Sequence, residues 1–73
     1  MNLNEFISAM ADAVEISNQE ELTEETQFRD LDEWSSISVM LLIAFFDSNF
    51  GKAISVSDIK QCTTIHDLYE LSK

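Results

Sequence analysis

Residues 34–51 decide the fold, and they read WSSISVMLLIAFFDSNFG. Five apolar side chains in this run recur at helical spacing and predict one inward-facing stripe: Val39, Leu42, Ile43, Phe46 and Phe50. Gly51 follows the last of them, where a left-handed glycine commonly ends a helix. The nearly apolar part, residues 37–46, is about half of the roughly 20 residues that span a bilayer. We therefore predict a buried helix that begins at Trp34-Ser35-Ser36 and ends at Phe50.

The flanking segments predict two more main helices and a short one. In the first helix, apolar residues recur every three or four positions: Leu3, Phe6, Ile7, Met10 and Val14. Asn2 or Asn4 can cap this helix. The last opens at Thr64-x-x-Asp67, which resembles a capping box, and should bury Ile65, Leu68 and Leu71. A short helix is expected near residues 57–61.

Residues 17–33 are polar and acidic, and we interpret them as a long loop. Their isolated apolar residues, Leu22, Phe28 and Leu31, are expected to fix the loop to the core. A chain of 73 residues with one glycine and no proline has room for one core and few of the residues that hairpins need. The expected architecture is all-α, a small four-helix bundle with three main helices, one short helix and a long first loop, in a single domain of residues 1–73.

The formal charge of −10 limits the possible partners. Such a charge repels nucleic acids and anionic lipid surfaces, so we expect neither nucleic-acid binding nor membrane insertion. Ten of the fourteen acids precede Trp34, and they are either a solvated surface or a docking surface for basic enzymes. A lone cysteine and the absence of a secretory leader favour a cytoplasmic, reduced protein, and we expect a monomer.

Catalytic and metal-binding motifs are weak in this sequence. His66 lies about thirty residues from Ser36, with no motif that would place a base beside a serine, and it is expected on the surface. Cys62 is expected to be a buried structural thiol. A calcium loop at Asp30-x-Asp32 fails because Ser35 and Leu41 replace its required glycine and glutamate. We therefore predict a protein that is not an enzyme and holds no metal.

Ser36 stands at the head of the most apolar helix. The residues alone leave two interpretations open, since a serine there can simply be the N-cap. The alternative is a phosphodiester on its hydroxyl, placed beside unpaired N–H groups and the positive end of the helix dipole. A serine without a neighbouring base would need another enzyme to modify it.

Four segments resemble the acyl carrier protein family over about residues 3–71. The family's Asp-Ser-Leu signature, often preceded by Glu-Trp, is similar to residues 32–37, DEWSSI. Residues 50–56, FGKAISV, resemble the segment after the second helix, and residues 63–68, TTIHDL, resemble the start of the last helix. Thr23, Thr26, Phe28 and Leu31 resemble the family's loop pattern. One departure is Ser35, which replaces the aspartate before the modified serine.

The resemblance implies a function that composition and spacing do not. Ser36 would carry covalent 4′-phosphopantetheine, which a phosphopantetheinyl transferase attaches. Acyl-loading and acyl-processing enzymes would then act on acyl thioesters held on this group, in a fatty-acid or polyketide-type pathway. The implied acyl pocket is lined by Phe28, Phe46, Ile54, Ile59, Cys62 and Leu68. The outer face of the second helix would dock partners through Ile37, Met40, Leu41, Ala44 and Asp47. The alternatives are an aminoacyl or D-alanyl carrier and an unmodified helical interaction domain in which Ser36 is only a cap.

Overall fold

A computed structural model describes residues 1–17 and 19–73, and its helices follow the predicted order. The four α-helices are α1 (Leu3–Ala13), α2 (Ser36–Phe50), α3 (Val56–Lys60) and α4 (Ile65–Leu71). Two single-turn 3₁₀ helices, Gln19–Glu21 and Phe28–Asp30, lie in the long loop, and residue 18 of that loop is outside the described residues. The described ranges contain no strand. The all-α prediction, with three main helices and one short helix, is confirmed.

The helix ends form where local side chains satisfy free backbone groups. Asn2 Oδ1 accepts a hydrogen bond from Glu5 N at 2.8 Å, and Glu5 Oε1 accepts one from Asn2 N at 3.0 Å, so Asn2 is the cap of α1. Gly51 ends α2 at φ +63°, as its position predicted. Thr64 Oγ1 accepts from Asp67 N, which confirms the predicted cap of α4.

The chain reverses after α1 through Glu15, a residue with a left-handed backbone at φ +61°. Ile16 N donates to Ala11 O at 2.9 Å, which is the six-residue closure of a Schellman motif. This turn is usually made with glycine, because a side chain at positive φ is strained. Its effect is to return the chain to the core at Ile16, which is only 4% exposed.

The core lies between α1, α2 and α4. The largest fully buried side chains come from all four helices and the loop: Phe6, Phe28, Phe46, Met10, Leu42, Ile59, Ile65 and Leu68. The Phe6 ring is at the centre of an aromatic cluster, with edge-to-face contacts to Phe45, Phe46 and Tyr69 at centroid distances of 5.9, 6.1 and 5.4 Å. These contacts fix α1 against α2 and α4.

The buried face of α2 differs from the predicted stripe. Leu42 and Phe46 are buried as predicted, but Val39, Ile43 and Phe50 are only half-buried. Phe45 and Ser38 are buried instead, at 5% and 3% exposure. Because α1 and α3 both pack on this helix, its buried arc is wider than one helical stripe. On α4, Leu71 is likewise half-buried instead of buried.

The long loop is bonded to the ends of α3 and α4. Ile65 N donates to Thr26 O at 3.0 Å and His66 N donates to Glu24 O at 2.8 Å, so loop carbonyls satisfy the first N–H groups of α4. Arg29 Nη1 donates to Lys60 O at the end of α3, at 3.2 Å. Leu22 and Phe28 are buried and Leu31 is half-buried, so the predicted contacts between loop and core are confirmed.

Candidate functional site

Ser36 is the first residue of α2, and the N-cap is Ser35. Ser35 has an extended backbone, its N–H donates to Ser38 Oγ at 3.1 Å, and its carbonyl accepts from Ser38 N at 3.0 Å. The interpretation of Ser36 as the cap is therefore wrong, because the preceding residue makes the capping contacts. The buried hydroxyl of Ser38, which sequence reasoning missed, supports this turn.

Ser36 is exposed at the start of α2. No residue in the described part of the chain makes a hydrogen bond with Ser36 Oγ, and the N–H groups of Ser36 and Ile37 have no partner there either. The first turn of α2 contains no acidic residue. Free N–H groups at the positive end of a helix dipole favour a bound phosphate, so these residues fit a phosphodiester on Ser36.

The segment before Ser36 is held in place from two sides. The half-buried Trp34 ring packs edge-to-face on Phe28 at a centroid distance of 5.0 Å, and Trp34 N donates to Leu31 O at 3.0 Å. The Glu33 carboxylate accepts from Ser17 N at 3.0 Å and from Ser17 Oγ at 2.8 Å. The start of α2 is therefore fixed to both the core and the segment that follows α1.

The six residues predicted to line an acyl pocket are mostly packed in the core. Phe28, Phe46, Ile59, Cys62 and Leu68 are between 0% and 6% exposed, and Ile54 is half-buried. None of the six lines any of the three cavities described below. Their role toward an acyl chain stays a prediction.

Cys62 is buried, as expected for a structural thiol. Its Sγ donates to Asp58 O at 3.4 Å. Burial, followed by the negative charge of Asp67, raises the pKa of the Cys62 thiol above its ordinary value. The group therefore stays protonated at neutral pH, which disfavours nucleophilic chemistry.

The described residues form three surface cavities around the long loop that no sequence pattern indicated. The one nearest Ser36 along the chain has a volume of about 200 Å³, and we call it the loop cavity; it is lined by Ile16, Glu21, Leu22, Thr26, Leu31, Asp32 and Glu33. The larger of the other two, about 370 Å³, is lined by residues 17 and 19–21, and the smaller, about 270 Å³, is lined by residues 19, 20 and 22 together with α1. Only the tertiary folding of the loop brings these residues together.

The outer face of α2 is apolar next to Ser36. Ile37 and Met40 are 64% and 70% exposed, and Ala44 is also exposed; we call these three residues the α2 apolar patch. Asp47 is exposed on the same helix, whereas Leu41 is half-buried against the core and so differs from the expected outer position. Val56 at the start of α3 is 46% exposed and was not foreseen.

Features of other functional classes are few. His66 is exposed, as predicted, and its Nε2 lies 3.4 Å from Glu70 Oε1. Within residues 1–17 and 19–73, no three His, Cys, Asp or Glu side chains are grouped closely enough to hold a metal ion. The helices in those ranges are too short or too polar to cross a membrane.

Comparison with known proteins gives one match. The family model described as "Phosphopantetheine attachment site" matches residues 4–72, which is nearly the whole chain. Neither a curated protein nor a solved structure gives a significant match. Domains of this family carry 4′-phosphopantetheine covalently on a serine and act as carriers rather than catalysts. The chain belongs to the family of phosphopantetheine-bearing carrier domains.

Proposed function

We propose that this protein is an acyl carrier protein whose 4′-phosphopantetheine is attached to Ser36, and that it serves a fatty-acid or polyketide-type pathway. The observation that supports Ser36 most strongly is its position at the first residue of α2, with an exposed hydroxyl that no described residue engages. Ser35 is the adjacent alternative; it is also exposed, but it precedes the helix as the N-cap of α2.

The attachment needs a partner enzyme because the chain offers Ser36 no base. In the attachment reaction, Ser36 Oγ would form the bond to the pantetheine-bearing phosphorus of the coenzyme A pyrophosphate, adenosine 3′,5′-bisphosphate would leave as that pyrophosphate bond breaks, and the serine proton would pass to a base of the transferase. The Ser36 and Ile37 N–H groups at the start of α2 would be available to stabilise the charge of a phosphodiester on Ser36. When bound, the group supplies a thiol on a flexible arm, on which acyl groups are held as thioesters.

The carrier's own contribution is position and concentration. The tether makes each acyl group an intramolecular reactant for a docked enzyme, so no catalytic residue is required on the carrier. A firm base for the arm is supported by the contacts of Trp34 and Glu33, which hold the start of α2 to the core and to the segment that follows α1. We propose that the protein itself is not an enzyme and that it works as a monomer, in one domain, in the cytoplasm.

The α2 apolar patch is the docking surface that we propose for the transferase and the acyl-loading and acyl-processing enzymes. It begins at Ile37, directly after Ser36, so a partner in contact with it has its active site near the arm. Asp47 adds one negative charge on the exposed side of the helix, and Leu41 contributes less than expected because it is half-buried. Burial of such a surface contributes about 25 cal/mol for each Å² of apolar area before the costs of association, which suits a transient complex.

Intact-protein mass spectrometry tests this function. The protein is produced with a broad-range phosphopantetheinyl transferase and coenzyme A, and it should gain the mass of one phosphopantetheine group. A second incubation with an acyl donor should add one acyl group, which hydroxylamine removes because the bond is a thioester. A protein that stays unmodified while a control carrier is fully converted would instead be an unmodified helical interaction domain.

A further inference from the structure

The hydroxyl of Ser38 is buried in the first turn of the apolar helix α2. Ser38 is 3% exposed, and within residues 1–17 and 19–73 it is the one polar residue that is buried. A buried hydroxyl costs free energy unless it is hydrogen-bonded, so alanine would suit this position better if packing alone mattered. We therefore looked for the contact that the hydroxyl makes.

Two hydrogen bonds join Ser38 to Ser35. Ser38 Oγ accepts a hydrogen bond from Ser35 N at 3.1 Å, and Ser38 N donates one to Ser35 O at 3.0 Å. Ser36 and Ile37 are the two residues enclosed between the bonded pair. The backbone that carries the Ser36 side chain is therefore held on both sides.

This closed turn sets the direction of the Ser36 side chain relative to the α2 apolar patch. Ile37 and Met40 follow Ser36 by one and four residues on the same helix, so their spacing from the serine is fixed only while the first turn stays helical. First turns open readily because their N–H groups lack partners within the helix. Among the described side chains, the Ser38 hydroxyl is the one that is bonded to the backbone of this turn.

We propose that Ser38 is a positioning residue for the attachment of phosphopantetheine. Its buried hydroxyl keeps the first turn of α2 closed and so presents the Ser36 hydroxyl to a transferase docked on the α2 apolar patch. This inference rests on the proposed function, since it requires that the arm is attached to Ser36. Ser38 touches no reacting atom; it acts on the orientation of the nucleophile, and a small loss of alignment slows the reaction of a bound reactant.

Steady-state kinetics of the modification separate positioning from docking. With the broad-range transferase and saturating coenzyme A, Ser38→Ala should lower kcat about fivefold, an effect of the size expected for a lost cap contact. The KM for the carrier should stay within about twofold of the parent's value, because the docking patch is unchanged. Ser38→Thr keeps a hydroxyl at this position and should restore most of the parent's kcat.

Thr64→Ala is the matched control for a general loss of stability. It removes the same kind of contact, since Thr64 Oγ1 accepts from Asp67 N at the start of α4. Urea denaturation should show that both alanine variants are folded and destabilised, whereas only Ser38→Ala should lower kcat. The inference is overturned if the two variants lower kcat alike, if neither lowers it, or if Ser38→Thr is as slow as Ser38→Ala.

Hydrogen exchange in the parent protein tests the contact without any substitution. After correction for intrinsic rates, the Ser35 amide should exchange at least about tenfold more slowly than the amides of Ser36 and Ile37, which have no partner among the described residues. Equal rates would overturn the inference even if Ser38→Ala did not fold. If the parent gains no phosphopantetheine, or gains it on Ser35, the proposed function fails and the inference fails with it. Normal modification of the parent without an effect of Ser38→Ala refutes the inference alone.

Discussion

Ser17 and Glu33 are sixteen residues apart and are joined by two hydrogen bonds, in which the Ser17 N–H and hydroxyl both donate to the Glu33 carboxylate. This contact closes the long loop and lies three residues before Ser36. A hydrogen bond typically contributes about 0.5–1.5 kcal/mol to the free energy of unfolding. Ser17 and Glu33 are both exposed, so their two bonds should contribute at the lower end of this range. Glu33→Ala should therefore lower the free energy of unfolding by about 1 kcal/mol. Urea denaturation measures this change. Glu25→Ala, which removes the same charge from the same loop, is the control, and equal stability of the two variants would contradict the role of the contact.

Glu15 carries backbone strain that a glycine would relieve. Its φ of +61° costs a side-chain-bearing residue roughly 1–2 kcal/mol, and part of the gain is lost because glycine has more freedom in the unfolded chain. Glu15→Gly should therefore raise the free energy of unfolding by about 0.5–1 kcal/mol, while Glu15→Ala, which keeps the strain, should not. A thermal melt of the two variants decides the matter, and a glycine variant no more stable than the alanine variant would speak against the strained turn.

The sequence predicted those parts of the fold that depend on neighbouring residues. Asn2, Gly51 and the Thr64–Asp67 cap form as expected, because each acts on backbone groups within one helical turn. The face of α2 was only partly predictable. This helix is apolar on almost every side, so spacing could not show that Phe45 is buried while Leu41 is half-buried.

The surroundings of Ser36 were less predictable than its position at the head of α2. The resemblance points to Ser36 as the modified serine, which stays a prediction, and only the structure shows that Ser35 makes the capping contacts and that Ser38 is buried under them. The loop cavity depends on how residues 16, 21, 22, 26 and 31–33 are brought together. That conformation is set by contacts distant in sequence, such as Ile65 N to Thr26 O, which no local pattern indicates.

Asp67 should make stability depend on acid pH. Its carboxylate accepts hydrogen bonds from Thr63 N and Thr64 N at 2.9 and 3.1 Å, and these bonds hold the pKa of Asp67 below its ordinary value. Because the pKa of Asp67 is lower in the folded chain than in the unfolded chain, the ionised carboxylate stabilises the fold at pH values above the unfolded-state pKa of about 3.9. This stabilisation is lost as the pH falls through the folded-state pKa. Asp67→Asn should therefore be less stable than the parent at pH 7, and the difference should shrink below about pH 4.

Unfolding by urea at pH 7, 5, 4 and 3 measures this dependence. Asp47→Asn removes the same charge from an exposed position on α2 and serves as the control. A difference between Asp67→Asn and the parent that stays constant over this pH range would show that the carboxylate charge does not contribute to the cap.

Docking should depend on contact with the α2 apolar patch more than on charge. Met40→Glu should lower kcat/KM for modification by the cognate transferase roughly tenfold, because it places a charge where apolar surface is buried. Ser48→Glu adds the same charge to an exposed position on the same helix and should have little effect. Added salt should slow association moderately and leave the difference between the variants intact. The docking surface would instead be the long loop if two results were obtained together. Met40→Glu would be modified at the parent's rate, and reversal of the charges of Glu20, Glu21, Glu24 and Glu25 would abolish modification.

Mass spectrometry of two single variants determines which serine carries the phosphopantetheine arm. Ser36→Ala and Ser35→Ala are each produced with the broad-range transferase and coenzyme A, and circular dichroism verifies that both are folded. Ser35→Ala should gain one phosphopantetheine group, since Ser36 keeps its exposed hydroxyl, and Ser36→Ala should gain none. Modification of Ser36→Ala together with no modification of Ser35→Ala would contradict the account and place the arm on Ser35.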